Sequence, residues 1–240
     1  MNILMINGTM RKGSTYHVGK MLIDKIATKE DQVIELFLPK DMPEFCRGCG
    51  RCIMEDETKC FDYLMYMKRL TGLIDKANLL ILTSPVHVMH VTGAMKSMLD
   101  HYGYRFMVHR PGASMFRKQA VCIATAAGGG VRSTLKDMKI SHQFWGAARV
   151  YTYGMSVASL GWDGVSADKK ERIDRDLSKL VLKISKDPDG VNPGIKTRAL
   201  FYIIRSFHKK GMSPVDDNYW KEMGWLGKER PWKLLKKEEL

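Results

Sequence analysis

The sequence predicts an α/β fold in which a parallel sheet of five strands carries helices on both faces. Three observations point there. Short apolar runs alternate with segments whose apolar residues recur at helical spacing, the run Leu79-Leu80-Ile81-Leu82 has no polar position, and the turns after several runs are rich in glycine and hydroxyl side chains. A strand without a polar face must be covered on both sides, which a sheet flanked by helices provides.

The first strand is Ile3-Leu4-Met5-Ile6, and it runs into Asn7-Gly8-Thr9-Met10-Arg11-Lys12-Gly13-Ser14-Thr15. Beyond that loop Val18, Met21, Leu22 and Ile26 recur on one helical face, so Ser14 or Thr15 stands where a helix N-cap belongs. The positive end of that helix, the hydroxyls of Thr9, Ser14 and Thr15 and the charge of Arg11 together suit a phosphate group. Gly8 and Gly13 let the backbone come close. An ordinary capped helix is the alternative. The loop is neither a Walker A sequence, which closes on Gly-Lys-Ser/Thr, nor the Gly-x-Gly-x-x-Gly fingerprint, which argues against ATP and against a dinucleotide held here.

The second strand is Gln32 to Leu38, ended by Pro39. Leu64, Met67, Leu70 and Ile74 mark a helix that leads into the third strand, Leu79 to Leu82. Gly93 to Tyr102 is the next helix, with Met95, Met98 and Leu99 as its apolar face. Ala120 to Ala126 is the fourth strand, Val131 to Trp145 a helix, and Arg149 to Val157 the fifth strand. A last helix of the sheet unit carries Ile173, Leu177, Leu180, Val181 and Ile184. Asp187-Pro188-Asp189-Gly190 and Asn192-Pro193-Gly194 then form a turn-rich boundary. We expect one domain over residues 1–187, interrupted by a cysteine-rich loop at 42–62, and a helical, aromatic extension over 188–240. In that extension Ile195 to Lys210 reads as an amphipathic helix with Ala199, Ile203 and Phe207 on one face, followed by Tyr219, Trp220, Trp225 and Trp232. Such aromatic density needs packing partners, on the sheet's helices or on a neighbouring subunit.

The net charge of +13 and pI near 9.5 suit anionic ligands and a solvated basic face. Lys and Arg are scattered and no nucleic-acid motif accompanies them, so a nucleic-acid partner is not expected. No apolar stretch reaches the roughly 18 residues a spanning helix needs, and the first residues enter a strand without the basic and apolar regions of a signal peptide. A cytoplasmic protein without a membrane role is the expectation. Four of the five cysteines fall between Cys46 and Cys60, which fits a reducing compartment and metal ligation better than a disulfide framework.

In a sheet of this kind the ligand lies beyond the carboxyl ends of the strands, where strand order reverses. Three loops must converge there. The first is the hydroxyl loop; the second is Ser84-Pro85-Val86-His87-Val88-Met89-His90-Val91-Thr92, apolar for an exposed turn; the third is Thr125-Ala126-Ala127-Gly128-Gly129-Gly130, whose glycines leave the backbone bare. A phosphate on one loop and a planar ring between two others describe a flavin mononucleotide.

These segments, with Gly93 to Asp100, resemble the phosphate loop and ring-contacting loops of the flavodoxin-like NAD(P)H-dependent FMN reductases, over roughly Met1 to Val157. The resemblance implies a flavodoxin-like three-layer sandwich with strand order 2-1-3-4-5 and noncovalently bound FMN. It implies that Thr9, Arg11, Ser14 and Thr15 hold the phosphate, while Pro85, Val86, His87, Val88, Thr125, Gly128, Gly129 and Gly130 surround the isoalloxazine. The family commonly has an aromatic residue where this chain has His87. His87 and His90 are read as exposed or satisfied side chains and no catalytic acid or base is assigned, because the cofactor carries the hydride chemistry.

Cys46-x2-Cys49-x2-Cys52-x7-Cys60 lies in a loop with Gly48 and Gly50. Three thiols at intervals of three, with a fourth further along, fit cuboidal iron–sulfur ligation, since zinc sites more often use two separated pairs; zinc and no metal are the alternatives. The spacing resembles the motif of iron–sulfur flavoproteins, which join this fold to a [4Fe–4S] cluster, apart from its long final spacer. That likeness implies a homodimer or homotetramer in which the cysteine loop reaches an FMN across a subunit interface. Cys122, inside a strand, is a core residue. A flavin-dependent oxidoreductase that takes electrons from NAD(P)H and passes them to a small-molecule or protein acceptor is the resulting expectation. A flavodoxin-type electron carrier and a redox-sensing, flavin-binding regulator are the alternatives.

Overall fold

The alternating pattern folds into a sheet of five parallel strands in the order β2-β1-β3-β4-β5. The computed structural model describes residues 1–42, 44–187 and 190–233. The strands are β1 (Asn2–Asn7), β2 (Gln32–Phe37), β3 (Leu79–Pro85), β4 (Gln119–Ala126) and β5 (Arg149–Ser156). Register runs straight across: Leu4 faces Ile34 and Leu80, Leu80 faces Ala120, and Ala120 faces Val150.

Alternate residues of each strand feed opposite cores, which explains the runs without a polar position. Leu4, Ile6, Leu80, Leu82, Ala120 and Cys122 pack on one side under α3 (Lys68–Lys76), α4 (Gly93–His101) and α5 (Val131–Phe144). Ile3, Met5, Leu79, Ile81, Val121 and Ile123 pack on the other under α1 (Ser14–Ile26) and α6 (Ala167–Val181). The short helix α2 (Arg51–Met54) lies within the cysteine loop.

Three local expectations need correction. Helix α1 begins at Ser14, so Gly13 occupies the cap position and no side chain caps the helix; Ser14 and Thr15 are already helical and their hydroxyls are left for other partners. The helix expected from Leu64 opens with a π-type turn over Tyr63–Met67 before α3, which re-aims Met67, Leu70 and Ile74 into the core while Leu64 stays exposed. Helix α7 (Ile195–His208) does gather Ala199, Ile203 and Phe207 on one face, but that face is exposed. Phe201, Ile204 and His208 are the buried residues, because Trp220, Trp225 and Trp232 offer more apolar surface on that side. Helix α8 (Pro214–Glu222) supplies Trp220, which stacks on Phe201 at 5.0 Å. This aromatic cluster closes over Met107 and Phe116 in the connection between α4 and β4. Pro188, Asp189 and residues 234–240, part of the expected turn and of the expected C-terminal extension, lie outside the described residues.

His142 on α5 is fully buried, sits edge-on to Trp145 at 5.3 Å, and has no hydrogen-bond partner for either ring nitrogen among the described residues. Burial pushes its pKa down to about 3. The folded protein therefore keeps it neutral, whereas the unfolded chain takes up a proton below about pH 6.5, so stability falls as pH drops through that window by at most about 1.4 kcal/mol per pH unit. Urea titrations at pH 7 and pH 5 are expected to show a smaller acid-induced loss for His142→Leu than for the wild type.

Candidate functional site

The carboxyl ends of β1, β3 and β4 enclose a cavity of about 370 Å³, a volume in the range of small-molecule sites. From the hydroxyl loop and α1 it is lined by Thr9, Arg11, Gly13, Ser14, Thr15 and Tyr16. From β3 and the turn beyond it come Thr83, Pro85, Val86 and His87, and from the end of β4 and the loop beyond it come Thr125, Ala126 and Ala127. Thus Thr9, Arg11, Ser14, Thr15, Pro85, Val86, His87 and Thr125 converge on one space from positions far apart in the chain.

The floor is tied down by hydrogen bonds between strand ends. Asn7 Nδ2 donates to the Leu36 carbonyl (3.1 Å), and Asn7 Oδ1 accepts from Thr83 Oγ1 (2.8 Å). The Gly8 N–H donates to the Thr83 carbonyl (2.7 Å), and Thr92 Oγ1 donates to the Gly8 carbonyl (2.6 Å). A Cβ at Gly8 would meet both the Thr83 carbonyl and the Thr92 hydroxyl at 3.0 Å, so this tight crossing favours glycine. Thr15 and Thr125 share a hydrogen bond between hydroxyls at 2.6 Å, joining the start of α1 to the end of β4.

Ser14 behaves differently. Its Oγ is buried at the first position of α1 and has no hydrogen-bond partner among the described residues. The N–H groups of a helix's first turn likewise lack intrahelical acceptors, and the helix dipole adds positive potential there. A buried unpaired hydroxyl costs about 1–3 kcal/mol, so its retention beside free N–H groups and the Arg11 guanidinium suits an anionic oxygen.

Val88, Gly128, Gly129 and Gly130 do not line this cavity. Val88 and Met89 form the tip of a tight turn closed by reciprocal bonds between His87 and His90, N–H to carbonyl at 2.9 and 3.0 Å. Both tip residues have positive φ, and Val88 is 96% exposed. Gly128 stands in open space, and Gly129 packs near the Met89 side chain. Gly130 has φ +88°, and a Cβ there would come within 2.5 Å of Val86 Cγ1 and 2.9 Å of Met89 Cα. Gly130 is thus the point at which the third loop packs closely against the second.

The cavity also includes residues that the sequence reading missed. Asn7 and Thr83 belong to strand ends, Tyr16 to α1, and Val157, Ser159 and Leu160 to the segment after β5. The rule that ligands lie at carboxyl ends of strands, applied to the fifth strand as to the others, would have flagged that segment.

The cysteine loop forms a second, smaller depression in which Cys46, Cys49, Cys52 and Cys60 all face one space with Asp62 and His101. All five cysteines are free thiols. Burial pushes the Cys52 and Cys60 thiols up, and the neighbouring sulfurs add to this at Cys52, so ionising the set calls for a cation among them. The ligand atoms of Cys60, Asp62 and His101 lie within 4.8 Å of one another. His101 is buried, with Nδ1 2.8 Å from the Ser97 carbonyl and Nε2 2.9 Å from Asp62 Oδ2. The donor set fits a thiophilic metal centre. Neither His101 nor Asp62 was singled out in the sequence, because α4 brings the histidine to the loop only in three dimensions.

A family model described as NADPH-dependent FMN reductase matches residues 1–159. The chain belongs to this family. An iron-sulfur flavoprotein of Archaeoglobus fulgidus is 28% identical over 109 residues, 44% of this chain and 48% of that protein, so the chain spans about half the length of this curated relative. Among solved structures, an NADH:FMN oxidoreductase in its apo form superposes with a TM-score of 0.57 at 17% identity, covering 83% of this chain and 98% of that one. An FMN-dependent NADH-azoreductase from Bacillus anthracis, in complex with FMN, gives 0.55 at 13% identity, with 75% and 100% covered. These likenesses confirm the flavodoxin-like sheet of this FMN reductase family member, and the family match covers the hydroxyl loop, the cysteine loop and all five strands.

Gly130→Ala is expected to displace the Val86–Met89 turn. Thermal unfolding should show a lower Tm, by several degrees for a cost of about 1–2 kcal/mol, and the affinity for added FMN should fall with it.

Proposed function

We propose that the chain is an FMN-dependent oxidoreductase that oxidises NAD(P)H and passes the electrons to a small-molecule or protein acceptor. The observation that carries this is the buried, unpartnered Ser14 Oγ at the start of α1, inside a cavity of mononucleotide size. Family membership supports the same cofactor. Bound FMN would supply hydride acceptance and onward release of electrons. The chain's own residues do the rest. Thr9, Arg11, Ser14, Thr15 and the first-turn N–H groups would hold the phosphate, and the Thr15 hydroxyl is itself hydrogen-bonded to that of Thr125. Pro85, Val86, His87 and Thr125 would flank the ring, and Gly130 would act by its close packing against the second loop.

The four convergent cysteines support a metal centre as a second part of this reading, a [4Fe–4S] cluster by the spacing of the motif. Cys46, Cys49, Cys52 and Cys60 would be its ligands. Exposed Met10, Val88 and Met89 on the first two loops, and exposed Leu160 in the cavity lining, support a homodimer or homotetramer in which one subunit's cysteine loop approaches its neighbour's flavin. Free thiols suit a reducing compartment, the cytoplasm in our reading. No helix among the described residues is long and apolar enough to cross a membrane.

Anaerobically purified protein should be yellow-brown, carry FMN, iron and sulfide, and oxidise NADH or NADPH. A colourless protein that does not bind added FMN sinks the flavin assignment. Ser14→Ala gives a sharper test. It should weaken FMN binding by about tenfold, the value of one hydrogen bond to a charged group, yet leave the Tm of flavin-free protein unchanged or higher, because that hydroxyl has no partner to lose.

A further inference from the structure

The cysteine loop between Glu44 and Asp62 has little regular structure, and two of its four cysteines are exposed. Something else must hold its sulfurs to one depression. At its start the Ser97 hydroxyl donates to the Glu44 carbonyl (2.6 Å), and at its end Asp62 pairs with His101. Both of these anchors come from α4. The middle, where Cys52 sits, is held from elsewhere.

Arg110, in the connection after α4, is buried with its side chain 6% exposed. Its Nη2 donates to the Cys52 carbonyl, and its Nη1 donates to the Ile53 carbonyl at 3.2 Å. The guanidinium thus caps the carbonyl end of α2, the short helix that carries Cys52. Nε lies 3.6 Å from Glu57 Oε2, further along the same loop. The remaining partner is Asp216, whose Oδ1 accepts from Arg110 Nη1 and whose side chain is 1% exposed. Asp216 belongs to the first turn of α8, where the helix dipole favours a carboxylate, and its other oxygen lies 2.8 Å from His109 Nδ1.

Helix α8 is itself locked to the same connection. Trp220 Nε1 donates to the His109 carbonyl (2.8 Å) and Tyr219 Oη donates to the Pro111 carbonyl (2.7 Å). The carbonyls on either side of Arg110 are therefore bonded by α8 side chains, while the arginine reaches through to the cysteine loop. Asp216 is the buried carboxylate that faces the guanidinium, Glu57 being farther away and more exposed, so loss of Asp216 would leave the Arg110 charge poorly compensated and free the arginine from this pose. Residues 214–222 lie outside the family match, which ends at 159.

We propose that the C-terminal extension is the outer scaffold of the cysteine site: through Asp216 it fixes Arg110, and Arg110 fixes the backbone of Cys52, so that the four sulfurs stay arranged to receive a metal centre. Arg110 and Asp216 are positioning residues. They contact carbonyl oxygens of the loop and act on the metal through them. The proposal rests on the reading of the four cysteines as a metal site, and its test separates the two.

Three variants of the full chain serve: Arg110→Gln, Asp216→Asn, and Arg110→Lys, which keeps the charge but loses the two-armed fork. In metal-free protein, the alkylation rate of each cysteine by iodoacetamide is followed by mass spectrometry. Arg110→Gln and Asp216→Asn should speed modification of Cys52 by about tenfold, a local opening made easier by about 1.4 kcal/mol. Cys122, buried in β4, should stay protected and FMN content should stay at the wild-type level. Arg110→Lys should fall between. Reconstitution with ferrous iron and sulfide should then load fewer iron atoms per chain in the first two variants than in the wild type. Unchanged rates at Cys52 overturn the proposal, and so does a rise at Cys122 of the same size, which would mean global loosening. If wild-type protein takes up neither iron nor zinc, the metal reading falls, while the alkylation rates still decide whether α8 holds the loop.

Discussion

The candidate cofactor cavity depends on how the carboxyl ends of the central strands are held to one another. Asn7 spends both ends of its amide on this, donating to the Leu36 carbonyl of β2 and accepting from Thr83 of β3. Gly8 and Thr92 continue the mesh by bonding across the same gap. These groups are buried, and a buried amide or hydroxyl that lost its partner would cost more than the bond contributes. The strand ends are therefore rigid, and the loops leaving them start from fixed points. A hydroxyl left unpaired within so well-satisfied a floor is conspicuous, which is why Ser14 carries so much of the functional reading.

The second loop illustrates how indirectly a residue can matter. Gly128 to Gly130 were expected beside a flavin ring because bare backbone permits close approach. At Gly130 a close approach is made to the Val86–Met89 turn, which is held also by Ser133 Oγ bonding to the Met89 carbonyl and by the His90–Asp137 pair. The turn's two positive-φ residues, neither of them glycine, store local strain of the kind found where a loop's position matters more than its comfort.

The cysteine loop reverses this arrangement. Its sequence sets the spacing of the thiols, and polar groups from three later parts of the chain bond to its backbone and side chains. Ser97 and His101 come from α4, Arg110 from the following connection and Asp216 from α8. Buried charge is a poor source of net stability, but here it ties the loop's backbone to distant parts of the chain.

Much of this was legible in the chain. The double-sided apolar runs determined a covered parallel sheet, because a strand with two apolar faces admits few other environments, and the hydroxyl loop and cysteine spacing marked both candidate sites through local chemistry alone. Resemblance to a known family added the strand order. What the sequence left undecided were relations between distant residues: which hydroxyl among Thr9, Ser14 and Thr15 stays unpaired, which face of α7 the tryptophans cover, and that Asp216 stands behind Cys52. Spacing along a helix or loop says which residues share a side. Only packing decides what that side meets, since burial and hydrogen-bond satisfaction are properties of the whole fold and not of any one segment.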